Sequence, residues 1–118
     1  TYAERTLGLA AGTYPFDSHW FEHEAARVHY IDEGQGPALF MLHGNPTWSF
    51  LYRKLVLALR DRFRCIVPDL PGFGLSLPGP GYDYRPESHH RVVRALIEHL
   101  DLGGITLIAH DWGGPIGL

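Results

Sequence analysis

The residues whose types and spacing suggest chemistry follow the apolar run 105–109, which leads into His110-Asp111-Trp112-Gly113-Gly114. Small residues, Ala109 and Gly113, stand two positions before and two positions after Asp111. This spacing is typical of a sharp turn that presents a nucleophile between a strand and a helix, because larger flanking side chains would collide with the neighbouring backbone. A carboxylate needs no general base before it attacks, so Asp111 predicts displacement at an alkyl carbon. From these residues alone, Asp111 is equally well interpreted as a helix N-cap.

Two other apolar runs end in polar or glycine-rich segments. His43-Gly44-Asn45-Pro46 follows the run 38–42, and Asp69-Leu70-Pro71-Gly72-Phe73-Gly74-Leu75-Ser76 follows the run 65–67. Ligands of parallel sheets bind beyond the carboxyl ends of the strands, so both ends are candidate site segments. Pro46 restricts Asn45 to an extended conformation. The second segment predicts a tight chain reversal; it is not a phosphate loop, because no Gly-Lys-Ser/Thr follows it.

The elements that must position these segments alternate between strands and helices. Apolar or alternating runs predict strands over 20–22, 27–32, 38–42, 65–67 and 105–109, the first two antiparallel. Helices are predicted over 48–59 and from Pro86 to about Leu100, and the Gly/Pro-rich stretch 68–84 is predicted to be loop. The first helix is predicted to bury Trp48, Leu51, Tyr52, Leu55 and Leu59, and the second Val93, Leu96, Ile97 and Leu100. This order predicts an α/β fold, a mostly parallel sheet with flanking helices.

Composition limits the classes of function. The 118 residues are 45% hydrophobic and 19% charged, which is typical of a folded globular protein. The net charge of −3 and the lack of a basic cluster argue against a nucleic-acid partner. No run approaches the ~18 apolar residues of a membrane span, and no signal segment is evident, which favours a cytoplasmic protein. The single cysteine, Cys65, is predicted to be a buried thiol, and no pattern of His and carboxylates suggests a metal.

Taken together, three motifs resemble one family. The segments 43–53, 69–76 and 110–115 look like those of the haloalkane dehalogenases, enzymes of the α/β-hydrolase fold. The run 61–65 together with 111–116 looks most like the third subfamily. The resemblance extends from about Tyr14 to the end of the chain. It implies a halogenated alkane as substrate, no cofactor, Asn45 after the third strand and Asp111 at the elbow after the fifth.

The chemistry of the residue types agrees with this resemblance. Asp111 would attack the halogen-bearing carbon and form an alkyl ester. The departing halide needs donors, which the indole N–H of Trp112 and the side-chain amide of Asn45 would supply. By the α/β-hydrolase pattern, the backbone N–H groups of Asn45 and Trp112 would stabilise the oxyanion formed when water attacks the ester.

Several residues also have structural interpretations. Trp112 could be a core aromatic residue, and Asn45 could form an Asx-turn. His43 is predicted to brace its loop, Trp48 to pack rather than line a pocket, and His110 to be a structural histidine. His89 and His90 are predicted to lie on the solvent side of their helix.

The chain departs from the family in one respect. The general-base His and its carboxylate partner follow the nucleophile in α/β-hydrolases, but the sequence ends at Leu118. The sequence therefore predicts that residues 1–118 form a single incomplete core domain of a protein of roughly 300 residues. The cap and the C-terminal half would lie outside it, and the fragment alone is predicted to be inactive. The alternatives are an epoxide hydrolase, in which position 45 is usually apolar, a β-lactone decarboxylase and a non-catalytic fragment.

Overall fold

The computed structural model describes residues 1–44 and 47–109. Five strands form one sheet: β1 (His19–His23), β2 (Ala26–Glu33), β3 (Ala38–Leu42), β4 (Arg64–Pro68) and β5 (Thr106–Ala109). The helices are α1 (Tyr2–Leu7), α2 (Arg53–Leu59) and α3 (Pro86–His99), and a 3₁₀ turn (Ser49–Tyr52) leads into α2. All five strands predicted from the sequence are confirmed within two residues, whereas α1 is an additional element.

The sheet is mixed, with the strand order β1-β2-β4-β3-β5. β2 runs antiparallel to both β1 and β4, which confirms the predicted antiparallel pair at the start of the sheet. β3 runs parallel to β4 and to β5, so the βαβ prediction holds for the three strands that precede the chemically suggestive segments. The carboxyl ends of these three strands therefore meet at one edge of the sheet, which we call the carboxyl edge.

Apolar side chains cover both faces of the sheet. In β3, Leu39 and Met41 belong to one buried cluster, while Phe40 and Leu42 belong to the cluster on the opposite face. Successive side chains of a strand point to opposite faces, so a strand buried on both sides must be apolar throughout. Cys65 is fully buried in β4, as predicted, and burial raises the pKa of its thiol. Within residues 1–44 and 47–109, no helix has the length and hydropathy to cross a membrane.

The helix predicted over 48–59 is wrong in its first turn and at two of the five positions predicted to be buried, whereas Tyr52 is buried and Trp48 and Leu59 pack against the core. Residues 49–52 form a 3₁₀ turn, and the α-helix begins only at Arg53. Leu51 and Leu55 are 42% and 36% exposed, while Val56, which was not predicted to be buried, is fully buried. A 3₁₀ turn rotates the chain by a larger angle per residue than an α-helix does. The residues after it therefore fall on different faces from those a continuous helix would give.

The third helix agrees more closely with its prediction. α3 begins at Pro86, in the first helical position where proline is favoured, and Leu100 caps it. Val93 and Leu96 are buried, and Ile97 and Leu100 pack against them. The predicted solvent position of His89 is wrong, because its side chain is 5% exposed. His89 precedes Val93 by four residues and Leu96 by seven, so it belongs to the same buried helical face.

Candidate active site

Three residues of the predicted site, Asn45, Asp111 and Trp112, lie outside the described residues. The structure does describe the strands that lead to them. Leu42 ends β3, Ala109 ends β5, and the two residues are register partners in the parallel pair. The chain therefore leaves both strands side by side at the carboxyl edge, where parallel sheets bind their ligands.

The side chain of His43 connects the loop after β3 with the loop after β4. It is fully buried, and its Nε2 accepts a 2.9 Å hydrogen bond from the backbone N–H of Leu70. The ring proton of the neutral imidazole must then be on Nδ1, which donates to the carbonyl of Gly44 at 2.8 Å. Burial lowers the pKa of His43 and favours this neutral form. The prediction that His43 braces the loop is confirmed; His110 lies outside the described residues.

Hydrogen bonds hold the chain on both sides of positions 45 and 46. The backbone N–H and the hydroxyl of Thr47 both donate to the Gly44 carbonyl, at 3.0 and 2.7 Å. The hydroxyl of Tyr52 donates to the carbonyl of Leu42 at 2.6 Å, which joins the 3₁₀ turn to the end of β3. The residues before and after Asn45 and Pro46 are therefore fixed to the sheet and to each other.

Asp69, the first residue after β4, is a buried acceptor for three donors. Oδ1 accepts from the backbone N–H of Ser49 at 2.7 Å, and Oδ2 accepts from the backbone N–H of Leu75 at 3.2 Å. Oδ2 also lies 3.0 Å from Nδ1 of His29. The sequence predicts the glycine-rich chain reversal after β4, but not that a carboxylate would join it to the loop after β3. The available signal was a lone acidic residue directly after the apolar run 65–68.

His29 is a second residue that the sequence did not indicate. It lies in β2, is fully buried, and has Ser18 Oγ at 2.8 Å from Nε2 while Nδ1 faces Asp69. The hydroxyl of Ser76 accepts the backbone N–H of His29 and donates to the Asp69 carbonyl. Buried polar groups are stable only when they are paired in this way. Since both ring nitrogens of His29 are engaged inside the fold, we interpret this Ser–His–Asp chain as structural.

Stacked aromatic rings also stabilise the loop after β3. Trp48 stacks on Tyr14, with ring centroids 5.3 Å apart, and on Phe50 at 5.4 Å, which agrees with its predicted packing role. The hydroxyl oxygens of Tyr14 and Ser49 are 2.6 Å apart. Burial, and secondarily the Asp69 carboxylate, raises the pKa of Tyr14. The phenol is therefore protonated near neutral pH and fixes the start of the 3₁₀ turn.

A second group of rings lies beside the loop after β4. Phe73 contacts His43 on one side and His89 on the other, with ring centroids 5.3 and 6.1 Å apart. The hydroxyl of Tyr82 and Nδ1 of His89 form a hydrogen bond, and burial raises the pKa of this phenol, which keeps it protonated. Burial also lowers the pKa of His89 to about 4, so its imidazole is neutral at pH 7. In the described part of the chain, no group of three His, Cys, Asp or Glu side chains could hold a metal.

Comparison with known proteins decides the family. The family of the alpha/beta hydrolase fold matches residues 37–118, which is more than half of the chain. The chain belongs to the α/β-hydrolase fold family. Haloalkane dehalogenase 2 of Mycobacterium tuberculosis is 51% identical over 105 residues, covering 89% of this chain and 37% of that protein. A cis-3-alkyl-4-alkyloxetan-2-one decarboxylase of Shewanella oneidensis is 48% identical over 107 residues, covering 88% of this chain and 34% of that protein.

Solved α/β-hydrolase structures show the same architecture. A tetrameric haloalkane dehalogenase of Paraglaciecola agarilytica has a TM-score of 0.83 at 36% identity, over 97% of this chain and 41% of that chain. A mutant Pseudomonas aeruginosa protein assigned as an epoxide hydrolase has a TM-score of 0.79 at 28% identity, over 87% of this chain and 35% of that chain. The chain spans little more than a third of the length of each of these proteins.

Proposed function

We propose that the protein to which this chain belongs hydrolyses halogenated alkanes to an alcohol and a halide ion. Residues 1–118 would form the N-terminal part of its α/β-hydrolase core, and the cap and the C-terminal half would lie outside this sequence. The coverage of about a third of each relative supports this division. The substrate is a small molecule; neither a nucleic acid nor a membrane takes part, and the cytoplasm is the proposed location.

The observation that carries the proposal is the pairing of Leu42 with Ala109 at the carboxyl edge. Asn45 follows Leu42 by three residues, and Asp111 follows Ala109 by two. A few residues of chain span only about 10 Å. A nucleophile and a hydrogen-bond donor to the halide that follow paired positions so closely can therefore reach the same substrate molecule. The similarity to a haloalkane dehalogenase at 51% identity supports the choice of substrate.

The proposed reaction proceeds through an ester of Asp111. A carboxylate oxygen forms a bond to the halogen-bearing carbon, and the carbon–halogen bond breaks with its electron pair on the leaving halide. The Asn45 amide and the Trp112 indole N–H donate to that halide. Water then attacks the ester carbonyl, whose oxyanion accepts from the backbone N–H groups of Asn45 and Trp112. Collapse of this intermediate releases the alcohol and restores Asp111; the base that activates the water would lie in the C-terminal half.

The second candidate is decarboxylation of a β-lactone. The similarity to an oxetan-2-one decarboxylase at 48% identity favours it almost as strongly as the first. A β-lactone loses carbon dioxide and leaves an alkene, so the two reactions share neither substrate nor product. Epoxide hydrolysis is less favoured, because the Asn45 amide can donate a hydrogen bond to a halide, whereas epoxide hydrolases usually carry an apolar residue at this position.

The experiment compares both substrates on the complete protein. Purified enzyme is incubated with a short 1-bromoalkane and, separately, with a cis-3,4-dialkyloxetan-2-one, while bromide and carbon dioxide are measured. Catalytic bromide release from the wild type, abolished in Asp111→Ala and retained in the exposed control Asp61→Ala, is the expected result. Carbon dioxide without bromide would establish the second candidate. Near-normal bromide release by Asp111→Ala would refute the assignment of Asp111 as the nucleophile.

Isotope labelling tests the ester intermediate directly. In a single turnover in H₂¹⁸O, the alcohol should carry unlabelled oxygen from Asp111, and the carboxylate should take up the label. Mass spectrometry of the peptide that contains Asp111 measures this uptake. Label appearing in the first-turnover alcohol would show direct attack by water and exclude the ester. The 118-residue chain alone is proposed not to turn over, because it lacks the water-activating base.

A further inference from the structure

We propose that His43 and Asp69 are positioning residues that together clamp the loop carrying Asn45. This inference rests on the proposed function, in which Asn45 donates one hydrogen bond to the halide through its side chain and another to the oxyanion through its backbone N–H. The clamp consists of two hydrogen bonds between the loops after β3 and β4: Leu70 N–H to His43 Nε2, and Ser49 N–H to Asp69 Oδ1.

The two bonds enclose Asn45 in the sequence. The first engages a side chain two residues before Asn45, and the second engages the backbone four residues after it. The bonds are reciprocal, because one loop supplies an acceptor at residue 43 and a donor at residue 49, and the other supplies a donor at Leu70 and an acceptor at Asp69. Slippage of one loop along the other would break both bonds at once. The arrangement therefore fixes residues 43 and 49, which lie on either side of Asn45 in the sequence, relative to the loop after β4.

Both acceptors are themselves held in place. His43 can accept at Nε2 only while its proton is on Nδ1, and the Gly44 carbonyl binds that proton. The Asp69 carboxylate is oriented by His29 and Leu75, which approach its other oxygen. His43, Asp69 and His29 are all fully buried, so water does not compete for these groups. A displacement of about 1 Å in a catalytic donor is enough to lower a rate by roughly 10²-fold, which gives this clamp its expected effect on catalysis.

A pair of isosteric substitutions at His43 separates its two hydrogen bonds. In His43→Gln, the side-chain oxygen reaches the position of Nε2 and keeps the acceptor for Leu70, but the donor to Gly44 is lost. In His43→Asn, the side-chain nitrogen occupies the position of Nδ1 and keeps the donor to Gly44, but the acceptor for Leu70 is lost. The proposal requires that Gln preserves function better than Asn, although both variants remove the same imidazole.

Asp69 offers a similar pair. Asp69→Asn keeps an oxygen for Ser49 N–H but places its NH₂ group toward the Leu75 N–H, whereas Asp69→Ala removes both acceptors. The structural control is Val92→Ala, which removes buried side-chain volume from α3 at a position outside the apolar cluster that contains Leu70. This control should lower the melting temperature without changing halide affinity or kcat. It thereby distinguishes a loss of positioning from a loss of stability.

The measurements on the complete protein are kcat and KM with a 1-bromoalkane, and bromide affinity from quenching of tryptophan fluorescence. His43→Asn and Asp69→Ala should each lower kcat by roughly 10-fold to 100-fold and weaken bromide binding. Their melting temperatures should fall no further than that of Val92→Ala, while His43→Gln recovers most of the activity and Asp69→Asn recovers part of it. Equal kcat and bromide affinity in His43→Asn and His43→Gln would overturn the proposal.

Amide hydrogen exchange separates this proposal from the proposed function. The amides of Leu70 and Ser49 should be protected in the wild type, and both should lose protection in His43→Asn whatever the substrate of the protein is. A wild type that releases no bromide but shows this paired loss would refute the proposed function and retain the clamp. If the Ser49 amide stays protected in His43→Asn, the two bonds do not act together, and the clamp is refuted.

Discussion

The backbone N–H of Ser49 donates a 2.7 Å hydrogen bond to Oδ1 of Asp69, although the two residues belong to different loops. Asp69 lies directly after β4, and Ser49 begins the 3₁₀ turn after β3. The parallel pairing of these strands brings both residues to one edge, and the buried carboxylate then sets the distance between the loops. A residue with no direct part in the proposed chemistry thus helps to determine where the chemistry occurs.

Gly74 has no side chain, and this leaves room for the Asp69 carboxylate. Its φ is +52°, and an added Cβ would lie 2.5 Å from Asp69 Oδ2 and 2.8 Å from Trp48 Cε3. We predict that Gly74→Ala destabilises the protein by more than the ~1 kcal/mol expected for a left-handed alanine. The control is Gly81→Ala, which has a similar φ of +74° but no atom within 4 Å of the added Cβ. Urea unfolding of both variants measures the difference, and equal losses would show that the close approach to Asp69 carries no cost.

The strands were predictable because each is an apolar or alternating run bounded by turn residues. The helix after β3 was mispredicted because local hydrophobic spacing carries no information on a 3₁₀ turn, which here places Leu51 and Leu55 at the surface. His89 was assigned to the surface on its polarity, although its spacing to Val93 and Leu96 places it on the buried face. Polarity and periodicity disagreed there, and periodicity was the better guide.

The candidate site was predictable only in its motifs. The spacing around Asp111 indicated a nucleophile, the family resemblance implied that Asn45 is a hydrogen-bond donor, and these assignments stay predictions. Two contacts of the Asp69 carboxylate, with Ser49 and with His29, join residues 20 and 40 positions apart in the sequence. Such contacts depend on the strand order, which the sequence pattern did not determine. His43 was predicted to brace its loop, but its partner Leu70 could be identified only from the fold.

Trp112 provides the next prediction, which concerns the leaving group. Trp112→Phe removes the indole N–H and keeps an aromatic ring, so one donor to the developing halide is lost. The rate of bromide release should fall on the order of 10²-fold, by analogy with the loss of an oxyanion-hole donor. Bromide should quench the fluorescence of the wild type but not that of the variant, and Trp20→Phe should retain the quenching. Equal bromide affinity in wild type and Trp112→Phe would show that the Trp112 indole N–H does not donate a hydrogen bond to the halide.

The buried His89 imidazole predicts a pH dependence of stability. Burial and, secondarily, the nearby His43 lower its pKa from 6.5 to about 4. Between these two values the unfolded chain binds a proton that the native state does not, so the free energy of unfolding must fall as the pH decreases. Below about pH 4 both states are protonated, and the contribution of His89 becomes constant. The pKa of His43 is also lowered, so it contributes with the same sign.

Urea unfolding between pH 8 and pH 4 measures this dependence. We compare the wild type with His89→Asn, whose side-chain amide occupies the position of Nδ1 and can hydrogen-bond the Tyr82 hydroxyl but cannot be protonated. Above pH 7 the two free energies of unfolding should differ by a constant amount. As the pH falls below about 6.5, the wild type should lose stability more steeply, and the two curves should approach each other. Carboxylates that become protonated below about pH 5 affect both proteins and cancel in the difference. Parallel curves over the whole range would mean that His89 binds protons equally in the folded and unfolded states.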